Sequence, residues 1–248
     1  MFGVVVTRLS SGDFVISVLT ITYQRHHLLE EAIQSYLNQD YVGESEMVVV
    51  NDSPLVMYTI DGYLSSRGVR IINYPDRFRS IGKKLEYGFK ECRGDYVFRL
   101  DDDDLLMPDA LTLSQAYIDE KPGMDVYRSS NFYMFNGNKF EKIYSSINTG
   151  NVLSREYINR LTWPNKNADE DLDIVFSEGV KMYTADYGHY AMIYRWGNCD
   201  QPTYHISTHL HLPNDERLTG NPNIKEHEFG RIDLVPHFNH DYYGMIHA

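Results

Sequence analysis

The chain has 248 residues, of which 42% are hydrophobic and 23% charged, and its formal net charge is −12. This length suits one globular domain with its own core, and the composition excludes disorder over most of the chain. Because acids outnumber bases and no Lys/Arg-rich stretch occurs, the sequence argues against a protein that binds nucleic acid. An acidic protein can still bind a nucleotide when a divalent cation lies between its carboxylates and the phosphates.

Predicted strands and helices alternate over the first half of the chain. The apolar runs typical of buried strands are residues 14–21, 47–50, 69–73 and 96–100, and the helical stripes are residues 26–38 and 81–92. This alternation indicates an α/β sheet with parallel strands, in which ligands bind beyond the carboxyl ends of the strands.

The pattern changes after a predicted helix at residues 108–119. Tyr/Phe-rich pieces at residues 132–135 and 139–144 flank Asn136-Gly137, a hairpin signal. We therefore expect the second half of the sheet to be mixed or antiparallel. Short helices are predicted after Ser154 and over residues 171–180.

The N-terminal residues and the cysteines bear on the compartment. Residues 1–13 lack the charged start and apolar run of a signal peptide, and nowhere do about 18 apolar residues follow one another. We therefore expect no transmembrane segment and a soluble, cytoplasmic protein. Only Cys92 and Cys199 are present, and a reducing compartment is the simpler interpretation because no disulfide is required.

Four consecutive carboxylates, Asp101 to Asp104, follow directly after a predicted strand. Such carboxylates repel one another unless a cation or basic groups neutralise them. A metal site is one interpretation, and an acidic helix start at Asp103 and Asp104 is the other. A calcium loop would need spaced ligands, a central Gly and a terminal Glu, which are missing here. Mn²⁺ or Mg²⁺, held by one or two carboxylates and by substrate phosphates, fits better and would imply a nucleotide substrate.

Four ordered segments carry a resemblance to a known family. They are residues 20–25 (Thr-Ile-Thr-Tyr-Gln-Arg), 49–53 (Val-Val-Asn-Asp-Ser), 94–104 and 170–171 (Glu-Asp). Through them the chain resembles the family 2 glycosyltransferases over roughly residues 14–179. The resemblance implies the GT-A fold, a Rossmann-like mixed α/β sheet flanked by helices. It also implies an enzyme that moves a sugar, with inversion, from a nucleotide-diphosphate sugar to a hydroxyl of a glycan or other acceptor.

The resemblance assigns the nucleoside to the end of the first strand. Thr22, Tyr23 and Arg25 match a turn that holds the nucleoside in such enzymes. Physically, a hydroxyl can bond the base edge, a Tyr ring can stack on the base, and Arg can approach phosphate or ribose. Asp52 matches a carboxylate that accepts a hydrogen bond from the uracil imide, which favours a UDP-sugar. A guanine also offers N–H donors, and an ordinary strand end with a turn before Pro54 is the structural alternative.

Cations and carboxylates complete the predicted donor site. Lys83 is the best of several clustered cations for a diphosphate contact, the alternative being a solvated helix face. By resemblance Asp101 lies near the ribose and Asp103 binds the metal, with Asp102 and Asp104 in support. The cation would offset charge that develops on the departing nucleotide diphosphate.

The acceptor side has fewer predicted contributors. Inverting transfer requires a base that takes the acceptor's proton, and the Glu-Asp segment resembles the family motif that makes Asp171 this base and Glu170 an acceptor contact. An acidic helix N-terminus is the alternative. His205 lies where some related enzymes have a further metal or phosphate ligand, although single histidines are more often structural. Among the aromatics, Trp163 is the best candidate for an exposed sugar platform.

Other functions stay open. A sugar-nucleotide nucleotidyltransferase also joins a Rossmann-like sheet to metal-bound carboxylates, but it begins with a Gly-rich loop that residues 20–25 lack. A non-catalytic GT-A-like binding module would follow if Asp103 or Asp171 were misplaced. Retention of the anomeric configuration is the mechanistic alternative.

The predicted domain organisation is simple. We expect a GT-A catalytic domain at residues 1–204, with a nucleotide-binding half at about 14–107 and an acceptor half at about 108–204. Beyond His205 regular periodicity fades, so residues 205–248 are expected to form a loop-rich C-terminal extension packed on the domain.

Overall fold

The structure is a computed structural model that describes residues 14–137, 139–146, 149–167, 169–195 and 230–247. In chain order its elements are β1 (Ile16–Thr22), α1 (His26–Leu37), β2 (Ser45–Asn51), β3 (Val56–Thr59), α2 (Gly62–Ser66), β4 (Val69–Asn73), α3 (Ile81–Glu91), β5 (Tyr96–Arg99), β6 (Leu105–Leu106), α4 (Ala110–Glu120), β7 (Val126–Phe135), β8 (Phe140–Ile143), β9 (Val152–Ser154), α5 (Arg155–Arg160), α6 (Glu170–Val175), β10 (Met182–Arg195), β11 (Gly230–Asp233) and α7 (Tyr242–His247). The strands and helices predicted in the first half are confirmed, with bounds that differ by two residues at most.

The main sheet has the strand order β4-β2-β1-β5-β9-β7-β10-β6, with β8 paired to β7. The first four strands in this order are parallel. β9 is antiparallel to β5 and β7, β10 is parallel to β7, and β6 is antiparallel to β10. The sheet is therefore mixed, and the predicted change from a parallel to a mixed half is confirmed.

Local sequence explains several element boundaries. β7 and β8 form the predicted hairpin, and Gly137 takes a φ of 95° in its turn, a conformation that glycine adopts without strain. The Ser154 side chain caps α5 by accepting a hydrogen bond from the Tyr157 amide at 3.2 Å. α6 ends at Val175, earlier than predicted, because Phe176 leaves the helical conformation.

The core lies on both faces of the sheet. β1 shows why, since its side chains alternate: Val18 packs with Leu29 and Ile33 of α1, whereas Leu19 packs in the layer that contains Leu85 of α3. Both layers are fully buried, as expected for parallel strands covered by helices. This packing holds the carboxyl ends of β1, β2 and β5 in fixed positions.

The described part of the C-terminal extension contacts two places on the domain. β11 pairs in parallel with β3 in a separate two-stranded sheet. α7 buries Tyr242 in a cluster with Leu105, Phe135 and Ile193. No helix among the described residues has the length and hydropathy needed to cross a bilayer.

Candidate active site

The polar segments that follow β1, β2 and β5 meet at one edge of the sheet. The parallel register places Thr22 beside Asn51, so the turns after these residues start from the same level. Gln24 turns the chain into α1 with a φ of 51°, and its amide donates to Ser53 Oγ at 3.0 Å. Because β5 is the other neighbour of β1, Asp101 and the carboxylates after it lie at the same edge.

Arg25 lies buried among these carboxylates. Its Nε donates to Asp102 Oδ2 at 3.1 Å, its Nη1 donates to Asp103 Oδ2 at 3.1 Å, and its Nη2 contacts Asp102 Oδ1. Burial raises the pKa of Asp102 to about 6, while Arg25 opposes that rise. Sequence reasoning expected Arg25 to approach phosphate or ribose, whereas here its guanidinium contacts two site carboxylates.

Asp101, Asp103 and Asp104 each bring a carboxylate oxygen within 4.8 Å of the others. Asp104 Oδ1 accepts a hydrogen bond from the Arg195 amide at 2.9 Å, while Oδ2 is buried and has no hydrogen-bond partner within the described residues. Burial raises the pKa of Asp104 well above its ordinary value, and the neighbouring carboxylates add to the rise. Convergent carboxylates with a buried oxygen that lacks a donor fit a hard cation such as Mn²⁺ or Mg²⁺.

The Asp52 carboxylate has a buried cation as its partner. Lys84 Nζ donates to the Thr22 carbonyl at 2.6 Å and contacts Asp52 Oδ1, and the Phe78 amide donates to Asp52 Oδ2 at 3.1 Å. Burial lowers the pKa of Lys84, and Asp52 opposes this effect. Lys83, the residue chosen from the sequence, is 41% exposed and pairs with Glu86 at 2.7 Å.

The Tyr23 ring is covered by a cation. The Arg77 guanidinium lies 4.5 Å from the centre of this ring, which is a cation–π distance. Tyr23 is only partly buried, so part of its side chain is accessible to solvent. The face predicted to stack on a base is thus able to hold a flat cationic group.

Arg99 joins β5 to α6. Its Nε donates to Asp101 Oδ1 at 3.3 Å and its Nη2 donates to Glu170 Oε1 at 3.2 Å, while Thr149 Oγ1 donates to Asp101 Oδ2 at 3.0 Å. Burial raises the pKa of Glu170, and Arg99 opposes that rise. Glu170, predicted as an acceptor contact, is buried against a guanidinium, whereas its neighbour Asp171 is partly exposed.

Tyr194 shows that Asp171 shares the electrostatic environment of the carboxylate cluster. The pKa of the Tyr194 hydroxyl is raised mainly by burial. The charges of Asp101, Asp103, Asp104 and Asp171 add to the rise. The carboxylates predicted from separate parts of the sequence therefore all lie close enough to act on the pKa of Tyr194.

Two further predictions have different outcomes. Trp163, expected as an exposed platform, is buried and packs on Phe89 with 5.1 Å between ring centres, so that prediction is wrong. Its packing against Phe89 of α3 could not be inferred from the neighbouring sequence. His205 and Cys199 lie outside the described residues.

Two buried cations of the site, Arg99 and Arg195, were missed by sequence reasoning, and a third, Lys84, was one of the clustered cations from which Lys83 was chosen. Lys84 had a usable signal, because it lies three residues after Ile81 and four before Gly88 on the apolar face of α3. Arg99 and Arg195 each end a strand, and the sequence offers no comparable sign of their partners.

The chain matches known proteins of one family. The profile of "Glycosyl transferase family 2" matches residues 17–177. An uncharacterized glycosyltransferase of Haemophilus influenzae is 29% identical over 111 residues, which is 43% of this chain and 41% of that protein. The poly(ribitol-phosphate) beta-N-acetylglucosaminyltransferase TarS of Staphylococcus aureus is 26% identical over 107 residues, or 42% of this chain and 19% of TarS.

Solved structures match a larger share of this chain than the sequence relatives do. The crystal structure of S. aureus TarS 1–349 has a TM-score of 0.57 at 19% identity and covers 72% of this chain and 60% of that one. Mannosyltransferase PcManGT from Pyrobaculum calidifontis, solved with GDP-Man and Mn²⁺, has a TM-score of 0.54 at 17% identity and covers 74% of this chain and 57% of that one. This chain therefore spans between 19% and 60% of the length of these relatives. The profile match covers more than half of the residues, and the chain belongs to glycosyl transferase family 2 and has the GT-A fold.

Proposed function

We propose that this protein transfers a sugar from a nucleotide-diphosphate sugar, with a UDP-sugar favoured, to a hydroxyl group of a glycan or other acceptor, with inversion. The convergence of Asp101, Asp103 and Asp104 at the carboxyl end of β5 is the observation that carries the proposal. The structural neighbours support the donor class, since TarS was solved with UDP and with UDP-GlcNAc and PcManGT with GDP-Man and Mn²⁺.

Asp103 and Asp104, with Asp101, would hold Mn²⁺ or Mg²⁺. The bound cation supplies positive charge for the diphosphate of the donor and of the departing nucleotide. The protein's own part is to keep the carboxylates converged before the donor arrives. Arg25 and Arg99 contribute to this, because Arg25 bonds Asp103 and Arg99 bonds Asp101.

Asp52 and Lys84 favour uracil as the base that binds at the end of β2. The Asp52 carboxylate is a hydrogen-bond acceptor and the Lys84 ammonium is a donor, and the two groups contact each other. Uracil presents the complementary pair, an imide N–H beside a carbonyl. Tyr23 and Thr22 would add a ring face and a hydroxyl, and Lys83, on the exposed side of α3, would reach the diphosphate only by leaving Glu86.

Asp171 would act as the base in the transfer. It takes the proton of the acceptor hydroxyl while the acceptor oxygen bonds to C1 of the sugar and the bond from C1 to the phosphate oxygen breaks. Glu170, held by Arg99, fixes the first turn of α6 and so orients Asp171.

We expect Asp171→Asn to lower kcat by about 10²- to 10⁴-fold, because the amide cannot accept the proton. Donor binding should stay near that of the wild type. Asp173→Asn is the matched control, since Asp173 lies on the same helix but is exposed and pairs with Lys166. Equal losses in the two variants would exclude Asp171 as the base.

Calorimetric titration tests the whole proposal. UDP, GDP and dTDP are titrated in the presence of Mn²⁺, Mg²⁺ or a chelator into the wild type, Asp103→Ala and the exposed-carboxylate control Asp119→Ala. We expect binding of UDP that requires the metal, disappears in Asp103→Ala and survives in Asp119→Ala. Binding of none of the nucleotides would overturn the proposal and favour a non-catalytic module.

A further inference from the structure

Arg195 connects the carboxylate cluster to a second buried network. Its backbone amide donates to Asp104 Oδ1 at 2.9 Å, and its Nε donates to the backbone carbonyl of Asp103. Both contacts lie on the segment that carries the converged carboxylates, residues 101–104, which we call the carboxylate loop. The side chain of Arg195 is fully buried, so its charge must be balanced by the groups packed around it.

The other end of Arg195 is held by the C-terminal segment, residues 230–247. Arg195 Nη1 contacts Glu31 Oε2 of α1 and donates to the Tyr242 hydroxyl at 3.2 Å. Glu31 Oε1 in turn accepts hydrogen bonds from the Tyr242 hydroxyl at 2.9 Å and the Asn239 amide at 2.8 Å. The Glu31 carboxylate is thus shared between Arg195 and the C-terminal segment.

A second contact holds the same segment on the same helix. Glu30 Oε1 accepts a hydrogen bond from the Val235 amide at 2.7 Å. Two adjacent carboxylates of α1 therefore bind backbone amides of residues 230–247, and both are buried. Such charge-assisted bonds are stronger than neutral ones, so the segment is well placed to fix the orientation of Glu31.

These contacts form one continuous path from the C-terminal segment to the carboxylate loop. We propose that residues 230–247 position the carboxylate loop through Arg195, which is a positioning residue for the metal site. Arg195 Nε fixes the loop backbone at Asp103, and its amide engages Asp104 Oδ1. Asp104 Oδ2 is then left for a cation. The metal part of this inference rests on the proposed function.

Tyr242→Phe tests the proposal with little change in shape. The variant keeps the ring that packs 5.3 Å from Phe135 and removes the hydroxyl that bridges Glu31 and Arg195. Tyr243→Phe is the matched control, because it removes a hydroxyl of the same helix that donates to the Leu106 carbonyl at 2.8 Å. Arg195→Lys is a second variant, in which the ammonium cannot bond Asp103, Glu31 and Tyr242 together.

The first measurement is hydrogen–deuterium exchange of the full chain without metal. We expect faster exchange at the amides of residues 102–105 in Tyr242→Phe than in Tyr243→Phe at equal thermal stability. Equal exchange at these amides in the two variants would overturn the proposal. This readout does not depend on a bound cation, so it decides the positioning role even if the proposed transferase function fails.

The second measurement is Mn²⁺ affinity by electron paramagnetic resonance. Outer partners of metal ligands commonly contribute about 10- to 100-fold to affinity, so we expect roughly tenfold weaker binding in Arg195→Lys and a smaller loss in Tyr242→Phe. Tyr243→Phe should bind as the wild type does. Wild-type affinity in Arg195→Lys and Tyr242→Phe would overturn the positioning of the metal site, whereas absence of Mn²⁺ binding in the wild type would count against the proposed function itself.

Discussion

At the scale of single residues, the site is a set of four carboxylates, three of them buried, each in contact with a specific donor. Arg25 bonds Asp102 and Asp103, Arg99 bonds Asp101, and the Arg195 amide bonds Asp104. A buried carboxylate without such a partner is strongly disfavoured. The protein therefore holds four adjacent acids close together by distributing cations and amides around them.

Arg25→Met is expected to destabilise the fold by about 3–5 kcal/mol in the absence of metal, since it leaves two buried carboxylates without their cation. Chemical denaturation followed by circular dichroism measures the change. Adding Asp102→Asn to this variant should restore part of the stability, because the amide needs no counter-charge. A loss below about 1 kcal/mol in Arg25→Met would show that the carboxylates are neutralised in another way.

The sequence was more informative about the acids of the site than about its bases. Asp52 and the residues around Asp101 follow strands directly, so a strand prediction already locates them. The partners of Lys84 and Arg99 lie 32 and 71 residues away in the chain, and no periodicity links them. The apolar stripe of α3 did offer a reason to prefer Lys84 over Lys83, because Lys84 lies on the buried face of that helix.

At the scale of elements, the N-terminus of α3 contacts the segment before α6. The Gly82 amide donates to the Lys166 carbonyl at 3.2 Å, and the Ile81 amide donates to Asn167 Oδ1 at 2.8 Å. A Cβ atom at Gly82 would lie 2.2 Å from the Pro164 carbonyl oxygen. The absence of a side chain at this glycine therefore permits the close contact between the start of α3 and residues 164–167.

Gly82→Ala should lower stability by roughly 1–3 kcal/mol, because the overpacking outweighs the gain in helix propensity of at most about 1 kcal/mol. The melting temperature checks this expectation. Gly62→Ala at the first residue of α2 is the matched control, since a Cβ there has no neighbour within 4 Å. A melting temperature of Gly82→Ala equal to that of Gly62→Ala would contradict the close contact.

Strands that are apolar throughout were predicted from the sequence. Strands whose limits depend on tertiary packing were not. β6 has two residues and β9 has three, too few for any pattern to appear. β10 is long, but Gly188 has a φ of 64° and the pairing with β7 shifts register after Ala185, so its alternation is interrupted. The sequence predicted that the second half of the sheet is mixed, but it did not predict the order of the strands.

At the scale of the whole molecule, the net charge of −12 makes stability sensitive to cations. A ligand that binds the folded state alone stabilises it by about 2.7 kcal/mol at a concentration 100 times its Kd. A specific Mn²⁺ and nucleotide site would therefore be visible in the unfolding of the complete chain.

Saturating Mn²⁺ with UDP is expected to raise the melting temperature by about 5–10 °C, which is the shift that this free energy produces in a chain of this size. Differential scanning calorimetry measures the shift, and a chelator should reverse it. Asp103→Ala should show little change. An equal shift in that variant would mean that the ions bind the acidic surface without a defined site.

The overall architecture was predictable because the alternation of strands and helices and the four motifs agree with one another. The C-terminal extension was predicted to pack on the domain, a boundary assignment that stays a prediction. Its described residues contact α1 through Glu30 and Glu31, which sequence reasoning could not foresee because two acids on a helix are ordinarily solvated.

The sharing of Glu31 has a consequence for biosynthesis. Glu31 and Asn239 are separated by 208 positions in the chain. At translation rates of about 5–20 residues per second, Asn239 would be synthesised roughly 10–40 s after Glu31. During that interval α1 can pack on the nascent sheet, but Glu31 has no Asn239 amide to bind. Chaperone contact with the Glu31 face of α1 would therefore be confined to this interval of synthesis.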